Sequence, residues 1–259
     1  MAELVAAILA VVLGSFTGEG ATERAIQRGV RARLGRVQKV AVHVDRGHRS
    51  PFSRTIPLIE IRLRGFTADG LSGQPFKMGA KRPHGKIGRF VIRAEDFSVG
   101  GLHFEKMNLT ISSIRFGLFK ALLRGKLALD SLGEGTVSAT FTEEGLTRFA
   151  APRIAALRHP RLTLDGGRVV VEGNSAKFKV PVRFSATLMP SDGKVELAEP
   201  DLHVWILPVP GALARSVVKD INPLVDLNRD YKGPFQFRIT HIPIANGRLA
   251  VRAVLIPRK

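Results

Sequence analysis

Strand-length stretches of this chain alternate apolar and basic residues, and that period of two constrains its fold more than anything else. Side chains on a strand point to opposite faces in turn, so such a stretch carries one oily and one cationic face. The clearest case is Lys177-Phe178-Lys179-Val180-Pro181-Val182-Arg183-Phe184. Read as a strand, it sets Phe178, Val180, Val182 and Phe184 on one side and Lys177, Lys179 and Arg183 on the other. Related alternation recurs at Val40, Val42 and Val44, at Ile59, Ile61 and Leu63, and at Phe90, Ile92 and Ala94. It continues at Met107, Leu109 and Ile111, at Leu127 and Leu129, at Val137, Ala139 and Phe141, and at Phe235, Phe237 and Ile239. Repeated half-buried strands of this kind predict a β-shell that is apolar within and basic without.

Three segments carry helical spacing instead. Thr22 to Leu34 has Thr22 as N-cap, Glu23 at the positive helix end, and Ile26, Val30 and Leu34 four residues apart. A second helix starts at Thr142, followed by Glu143 and Glu144, and runs through Leu146, Phe149, Ile154 and Leu157, with Pro152 limiting its length. A third is expected over about 211–227, with Leu213, Val217, Ile221, Leu224 and Val225 on one face and Pro223 bending it. Residues 69–88, rich in Gly, Pro, Lys and Arg, read as a long basic loop. Tight turns are expected at Asp165-Gly166-Gly167, Ser191-Asp192-Gly193 and Asn246-Gly247. The Thr22-Glu and Thr142-Glu openings, each leading through a helix into strands, form a faint internal echo. Together these elements predict an α+β fold, a strongly curved antiparallel β-sheet wrapping two or three amphipathic helices.

With 259 residues, 44% of them hydrophobic, the chain can bury a real core, and residues 22–259 fit a single domain. Forty basic against 22 acidic residues give a formal charge of +18, which calls for an anionic partner. The absence of cysteine removes disulfides, thiol nucleophiles and zinc-thiolate sites together. At the N-terminus, Leu4 to Leu13 is continuously apolar, too short for the roughly 20 residues of a comfortable membrane span. Small residues at Gly20 and Ala21 suit a cleavage site, although no positive leader precedes the run. Residues 1–21 are therefore expected to be a signal-like segment, which places the protein in the periplasm or outside the cell. A retained, uncleaved anchor and an ordinary buried helix are the alternatives.

No catalytic constellation stands out, and no enzyme, cofactor or metal site is expected. The histidines His43, His48, His84, His103, His159, His203 and His241 form no ligand-spaced pair. Glu143 and Glu144 belong to a helix N-terminus, and Glu95-Asp96 is expected at a strand end with its carboxyls facing opposite ways. Residues 24–54 hold nine Arg or Lys with one acidic residue, and 77–93 hold six with none. Nucleic acid is the rival anionic partner, but one Tyr and one Trp supply few stacking aromatics, and no helix-turn-helix or RNA-recognition signature is present. The stretch Trp205-Ile-Leu-Pro-Val-Pro-Gly211 reads either as a buried strand end or as a wedge that dips into a bilayer interface with Trp205 at headgroup level.

Four stretches carry a family resemblance. They are Phe141-Thr-Glu-Glu-Gly-Leu-Thr-Arg-Phe149, Leu162-Thr-Leu-Asp-Gly-Gly-Arg-Val-Val-Val171, Ile221-Asn-Pro-Leu-Val-Asp-Leu227 and Asn246-Gly-Arg-Leu-Ala-Val251. Together they resemble the LmeA-like phospholipid-binding proteins of bacterial envelopes. The resemblance implies a fold akin to the tubular lipid-binding (TULIP) proteins, with an acyl-chain groove between sheet and helices, and an extracytoplasmic role in handling lipid without catalysis. On this reading Phe178, Val180, Val182, Phe184, Leu213, Val217 and Ile221 line the groove. Phe149, Ile154, Phe235, Phe237 and Ile239 close it, Trp205 sits at its mouth, and the basic stretches meet anionic headgroups on a membrane surface. A groove and a packed core share one composition, so a structural envelope protein filled by its own side chains is the other outcome.

Overall fold

The computed structural model describes residues 8, 11–12, 23–34, 36–45, 55–68, 77–78, 85–117, 128–205, 207–212, 215, 219, 222–230 and 234–258. The elements run α1 (Glu23–Leu34), β1 (Val37–Asp45), β2 (Thr55–Thr67), β3 (Lys77–Met78), β4 (Gly85–Val99), β5 (Leu102–Gly117), β6 (Ala128–Leu132) and β7 (Gly135–Thr142). They continue as α2 (Glu143–Ala150), a 3-10 turn (Ala151–Arg153), β8 (Leu157–Asp165), β9 (Arg168–Ser175), β10 (Pro181–Ser191), β11 (Lys194–Val204) and β12 (Leu207–Pro208). The last are β13 (Val225–Asp226), α3 (Leu227–Asp230), β14 (Phe235–His241), β15 (Ile244–Ala245) and β16 (Arg248–Pro257).

Ten strands make one sheet in the order β1-β2-β4-β5-β7-β16-β14, with β15 on β16 and with β6 and β3 branching from β5. The other six make a second sheet, β12-β11-β10-β9-β8, with β13 on β11. The proportion of strand to helix agrees with the α+β class. The expected single antiparallel sheet is corrected: the described strands form two sheets, β2 runs parallel to β4, and among the described residues neither sheet is closed or strongly curled. The inner faces of both sheets feed one hydrophobic cluster, from Ile59, Phe90 and Ile111 on the large sheet to Ala186, Leu188 and Leu197 on the small one.

Strict alternation holds within segments but shifts by one residue across the large sheet. Buried Leu63 is followed by buried Phe66, and buried Ala94 by buried Phe97, a step of three in place of two. At the shift, Gly65 and Asp96 take left-handed backbone at φ 63 and 53. A Cβ on Gly65 would also come within 2.2 Å of the exposed Gln38 side chain, which would have to shift, so the left-handed φ is the stronger reason for glycine there. The displaced register lets Phe66, Phe97 and Phe104 stack at ring centroids 4.9 and 4.7 Å apart, with Phe141 tilted against Phe104 at 4.8 Å, across four strands.

The two principal helices are tied to the strands that follow them by matching bonds. In α1 the Glu23 carboxylate accepts from the Val44 N–H at 2.8 Å, and the Gln27 amide donates to the Val40 carbonyl at 3.0 Å. In α2 the Glu143 carboxylate accepts from the Leu164 N–H at 2.6 Å, while the Thr147 hydroxyl donates to the Leu162 carbonyl and accepts from its N–H. A first-turn glutamate and the residue one turn later thus clamp a strand in both places. The internal echo of the sequence has a structural counterpart.

Several expected boundaries move. Thr142 caps α2 by accepting from the Gly145 N–H, but the α-helix stops at Ala150, where Pro152 enters a 3-10 turn; Ile154 follows that turn and Leu157 opens a strand. The third expected helix does not reach 227. Gly211, Ala212, Arg215 and Lys219 are helical, whereas Val225–Asp226 pairs with β11 and Leu227 opens the short α3. The Asn222 side chain bonds both the N–H and the carbonyl of Leu197, which pins the chain to β11 and draws it off a helical path. Within the expected 69–88 loop, Lys77–Met78 and Gly85 onward are strand; its other residues lie outside the described ones.

Of the N-terminal apolar run, Ile8, Val11 and Val12 are helical, and Ile8 and Val12 are buried in the main core at 1% and 0% exposure. The duplicated clamp sets an expectation for stability. Hydrogen bonds to charged groups contribute about 1.5–3 kcal/mol, so Glu23→Ala and Glu143→Ala should each cost near the lower end of that range in urea denaturation. Two similar values would confirm equivalent roles, and a null effect at Glu143 would refute the clamp.

Candidate functional site

The small sheet presents an apolar face whose cover thins steadily along its strands. Cross-strand register aligns Leu164, Val169 and Ala186 in one row, and all three are buried beside Leu188, Val195 and Leu197. The next row, Leu162, Val171, Phe184 and Leu202, is only partly buried. Val182 and Val204 pair beyond it, also partly exposed. At the end of the sheet stand Phe178, Trp205 and Leu207, at 68, 69 and 67% exposure. The apolar rows thus pass from dry core at Ala186 to partial cover at Val182 and Val204, and the exposed Phe178, Trp205 and Leu207 lie at that end of the sheet.

Local backbone builds the exposed tip. Phe178 lies in the turn between β9 and β10, where its N–H bonds the Ser175 hydroxyl and Lys179 takes φ 56. This corrects the expected strand from Lys177: β10 begins at Pro181, which lacks an N–H and suits a strand's first position. Phe178 is accordingly an exposed turn residue, outside the inward row of Val182 and Phe184. Trp205 has φ 59, and its N–H reaches the Pro181 carbonyl at 2.6 Å, which fixes it beside that turn. The expected reading of Trp205 as a buried strand end is thus set aside. Lys177 lies over the Phe178 ring with Nζ 5.3 Å from the centroid, and exposed Lys179 completes a basic collar.

The remaining expected lining residues separate into two groups. Phe149, Ile154, Val180 and Phe237 are partly buried, and Phe237 packs against the core. Phe235 and Ile239 are buried at the junction of the two sheets, in the core itself. Leu213, Val217 and Ile221 lie outside the described residues. Leu162, Val171, Leu202 and Leu207 belong to the thinning face although sequence reasoning did not select them. The alternation of Leu162 with Leu164 and of Leu202 with Val204 was the available signal.

The solvent face of the large sheet is polar. One depression of about 320 Å³ is lined by Leu58, Glu60, Arg89, Val91, Arg93, Asn108 and Thr110. Another, of about 460 Å³, is lined by charged residues including Arg64, Glu95, Asp96, Glu105, Lys106 and Arg248. The left-handed turn at Asp96 brings its side chain to the same depression as Glu95, in the middle of β4, where the sequence reading had them at a strand end and facing apart. Most of the residues lining both depressions are charged or polar. His43 approaches Glu23, His103 approaches Asp96, and His203 approaches Asp201, but among the described residues no three metal-ligating side chains converge.

Two glutamates there are held ionised. Hydrogen bonding to Arg62 lowers the Glu60 pKa, helped by the charge of Arg93 and opposed by burial. Arg248 grips Glu105 through two bonds of 2.7 and 2.9 Å and lowers its pKa in the same way.

Residues 83–254, well over half the chain, match the LmeA-like phospholipid-binding family, and the chain belongs to that family. The family is a lipid-binding one associated with the bacterial cell envelope. The matched stretch takes in β4 to β15 and most of β16, including the whole thinning face, and leaves α1, β1, β2 and β3 before it. No curated protein and no solved structure matches the chain. Among the described residues no helix is long and apolar enough to cross a membrane.

A glutamate whose pKa is lowered by folding adds stability that is fully present above its unfolded value, about 4.3, and is lost as pH falls through the folded value. Glu105→Gln should therefore lower stability at pH 7 and flatten the loss of stability below pH 4.3. Denaturant midpoints measured across pH would show this, and an unchanged acid slope would refute it.

Proposed function

We propose that this protein binds phospholipid in the cell envelope without catalysis, and that it carries lipid between surfaces. The carrying observation is the apolar face that loses its cover between Ala186 and Trp205. Exposed large hydrophobic side chains grouped at the end of a core-facing sheet mark ligand or membrane contacts. An acyl chain laid along it would cover Val180, Val182 and Phe184 from β10 and its lead-in, with Phe149, Ile154 and Phe237 at its margins and Phe235 and Ile239 as the floor behind. Each buried methylene contributes about 0.8 kcal/mol, so ten or more make tight binding feasible.

Phe178, Trp205 and Leu207 serve as the tip that enters the bilayer interface, where aromatic rings prefer headgroup depth. Lys177 and Lys179 meet anionic headgroups there, and the overall charge of +18 draws the protein to the same surface. This division suits extraction and delivery: the basic collar finds the membrane, and the oily face offers the tail a continuous path.

Trp205 is the only tryptophan, so its emission reports docking directly. Vesicles with rising phosphatidylglycerol content should shift that emission to the blue, and added salt should reverse the shift. Replacing Lys177 and Lys179 together by Ala should cost roughly 2 kcal/mol, about thirtyfold in affinity for anionic vesicles. Equal binding to neutral vesicles would remove the electrostatic part of the proposal. A Trp205 spectrum indifferent to all vesicles would remove the docking tip. A steep salt-dependent affinity for DNA or RNA with no lipid binding would favour a nucleic-acid partner.

A further inference from the structure

The depression over β2, β4 and β5 holds more positive charge than its one carboxylate neutralises. Val91 lies at its middle, with Glu60 opposite on β2 and Thr110 opposite on β5. Arg89 and Arg93 flank Val91 along β4, each two residues away and so on the same face of the sheet. Asn108, opposite Arg93, adds a second polar side chain from β5, and the partly buried Leu58 and Val91 are the apolar members of the lining.

Glu60 is already engaged. Its Oε1 accepts from the Arg62 Nε at 2.8 Å and lies 3.2 Å from the Arg93 Nε, and the bond from Arg62 does most to keep it ionised. Only 13% of the Glu60 side chain is exposed, against 64% for Arg62 and 54% for Arg93, so two open guanidiniums stand over a largely covered carboxylate. Strand register sets Arg62 directly opposite Arg93, and like charges so placed destabilise a sheet. Arg89 makes no hydrogen bond or ion pair among the described residues, and the half-buried side chains of Asn108 and Thr110 make no hydrogen bond there either. Three guanidiniums against one carboxylate leave a surplus of two positive charges; Asp45 of β1, opposite Leu58, lies outside the lining.

We propose that this depression binds a phosphate monoester, with Arg89 and Arg93 closing on the phosphate over Val91 while Asn108 and Thr110 donate to its oxygens. Charge decides the class: a monoester carries about −1.5 to −2 near pH 7, which matches the surplus, whereas a diester carries a single charge. Guanidinium forks fit phosphate oxygens, and an amide and a hydroxyl supply the further donors. Leu58 and Val91 meet the carbon skeleton that bears the phosphate. A soluble phosphorylated molecule and a lipid with a monoester headgroup share this chemistry. The site is independent of the apolar strip on the small sheet, and neither reading needs the other.

Full-length protein titrated calorimetrically with glycerol 3-phosphate should bind one molar equivalent, and should bind the diester glycerophosphoglycerol far more weakly. Arg89→Gln and Arg93→Gln, both at exposed positions, should each weaken glycerol 3-phosphate binding by roughly tenfold or more, the loss of charge-assisted bonds. Arg252→Gln removes the same charge from the same sheet face on β16, outside the depression, and should change the affinity by less than about twofold. Vesicles containing phosphatidic acid, whose headgroup is a monoester, identify the source. If they displace glycerol 3-phosphate from the parent protein, the site takes a lipid headgroup; if they leave its binding intact, the site takes a soluble ester.

Absence of glycerol 3-phosphate binding would overturn the proposal. Equal affinity for monoester and diester, or equal losses in Arg89→Gln and Arg252→Gln, would overturn it too, by reducing the site to general surface charge. A Trp205 emission that still responds to phosphatidylglycerol vesicles in the same protein would show that lipid binding on the small sheet survives that failure.

Discussion

Every sheet with one oily face must cover it, and the arrangement of this molecule follows from how unevenly it does so. The large sheet is covered well: β4 and β5, its longest strands, bury Phe90, Ile92, Met107 and Ile111 completely or nearly so. The small sheet joins that core along the rows near Ala186 and Leu197, and Leu162, Val171 and Phe184 of the next row pack against it. Further along its strands, Val182, Leu202 and Val204 are only partly buried. What is left is an apolar strip that hydrophobic burial would favour covering, at about 25 cal/mol per Å², and that the described protein leaves partly open. A lipid-binding family offers a natural cover for it.

The paired clamps say how the two halves come to be alike and yet unequal. A glutamate at the start of a helix is stabilised by the helix dipole, and that position also places its carboxylate beside the N–H of a following strand. Glu23 and Glu143 use the same geometry, and Gln27 and Thr147 add the second bond one turn on. With the backbone relation repeated, differences in cover must come from elsewhere in the chain. In the first unit Ile8 and Val12 join α1 in the core cluster, whereas Leu146 and Phe149 of the second are partly buried.

Much of this was legible in the sequence, and what was not has identifiable causes. Period-two alternation located nearly every long strand, and the Thr142 cap and Asp-Gly turns fell where turn chemistry put them, because these signals are local. Lys177–Phe184 misled because alternation cannot distinguish a strand from a turn followed by a strand; only the left-handed Lys179 separates Phe178 from Val182. The helix expected through Val225 failed for a tertiary reason, since the Asn222 side chain finds both main-chain groups of Leu197 on β11. The division into two sheets and the parallel β2–β4 pair depend on long-range pairing, which no local pattern encodes. The groove residues were chosen for being apolar in alternation, a property that buried Phe235 and exposed Phe178 share. Burial sorted them, and burial belongs to the fold.

Charge and oil are also distributed differently from what composition alone implies. The basic excess is spread over many surfaces, and on the solvent face of the large sheet part of it is spent on carboxylates: Arg62 and Arg93 on Glu60, Arg248 on Glu105. Such pairs neutralise each other at short range and contribute little to attracting a distant anionic surface. At the tip of the small sheet, Lys177 instead lies over an exposed ring, beside Lys179 and near Trp205. A cation over an aromatic face keeps its full charge for a phosphate while the ring beneath it remains apolar. On the proposed reading, that juxtaposition makes the small-sheet tip, and not the ion-paired face of the large sheet, the part of the molecule suited to both layers of a membrane interface.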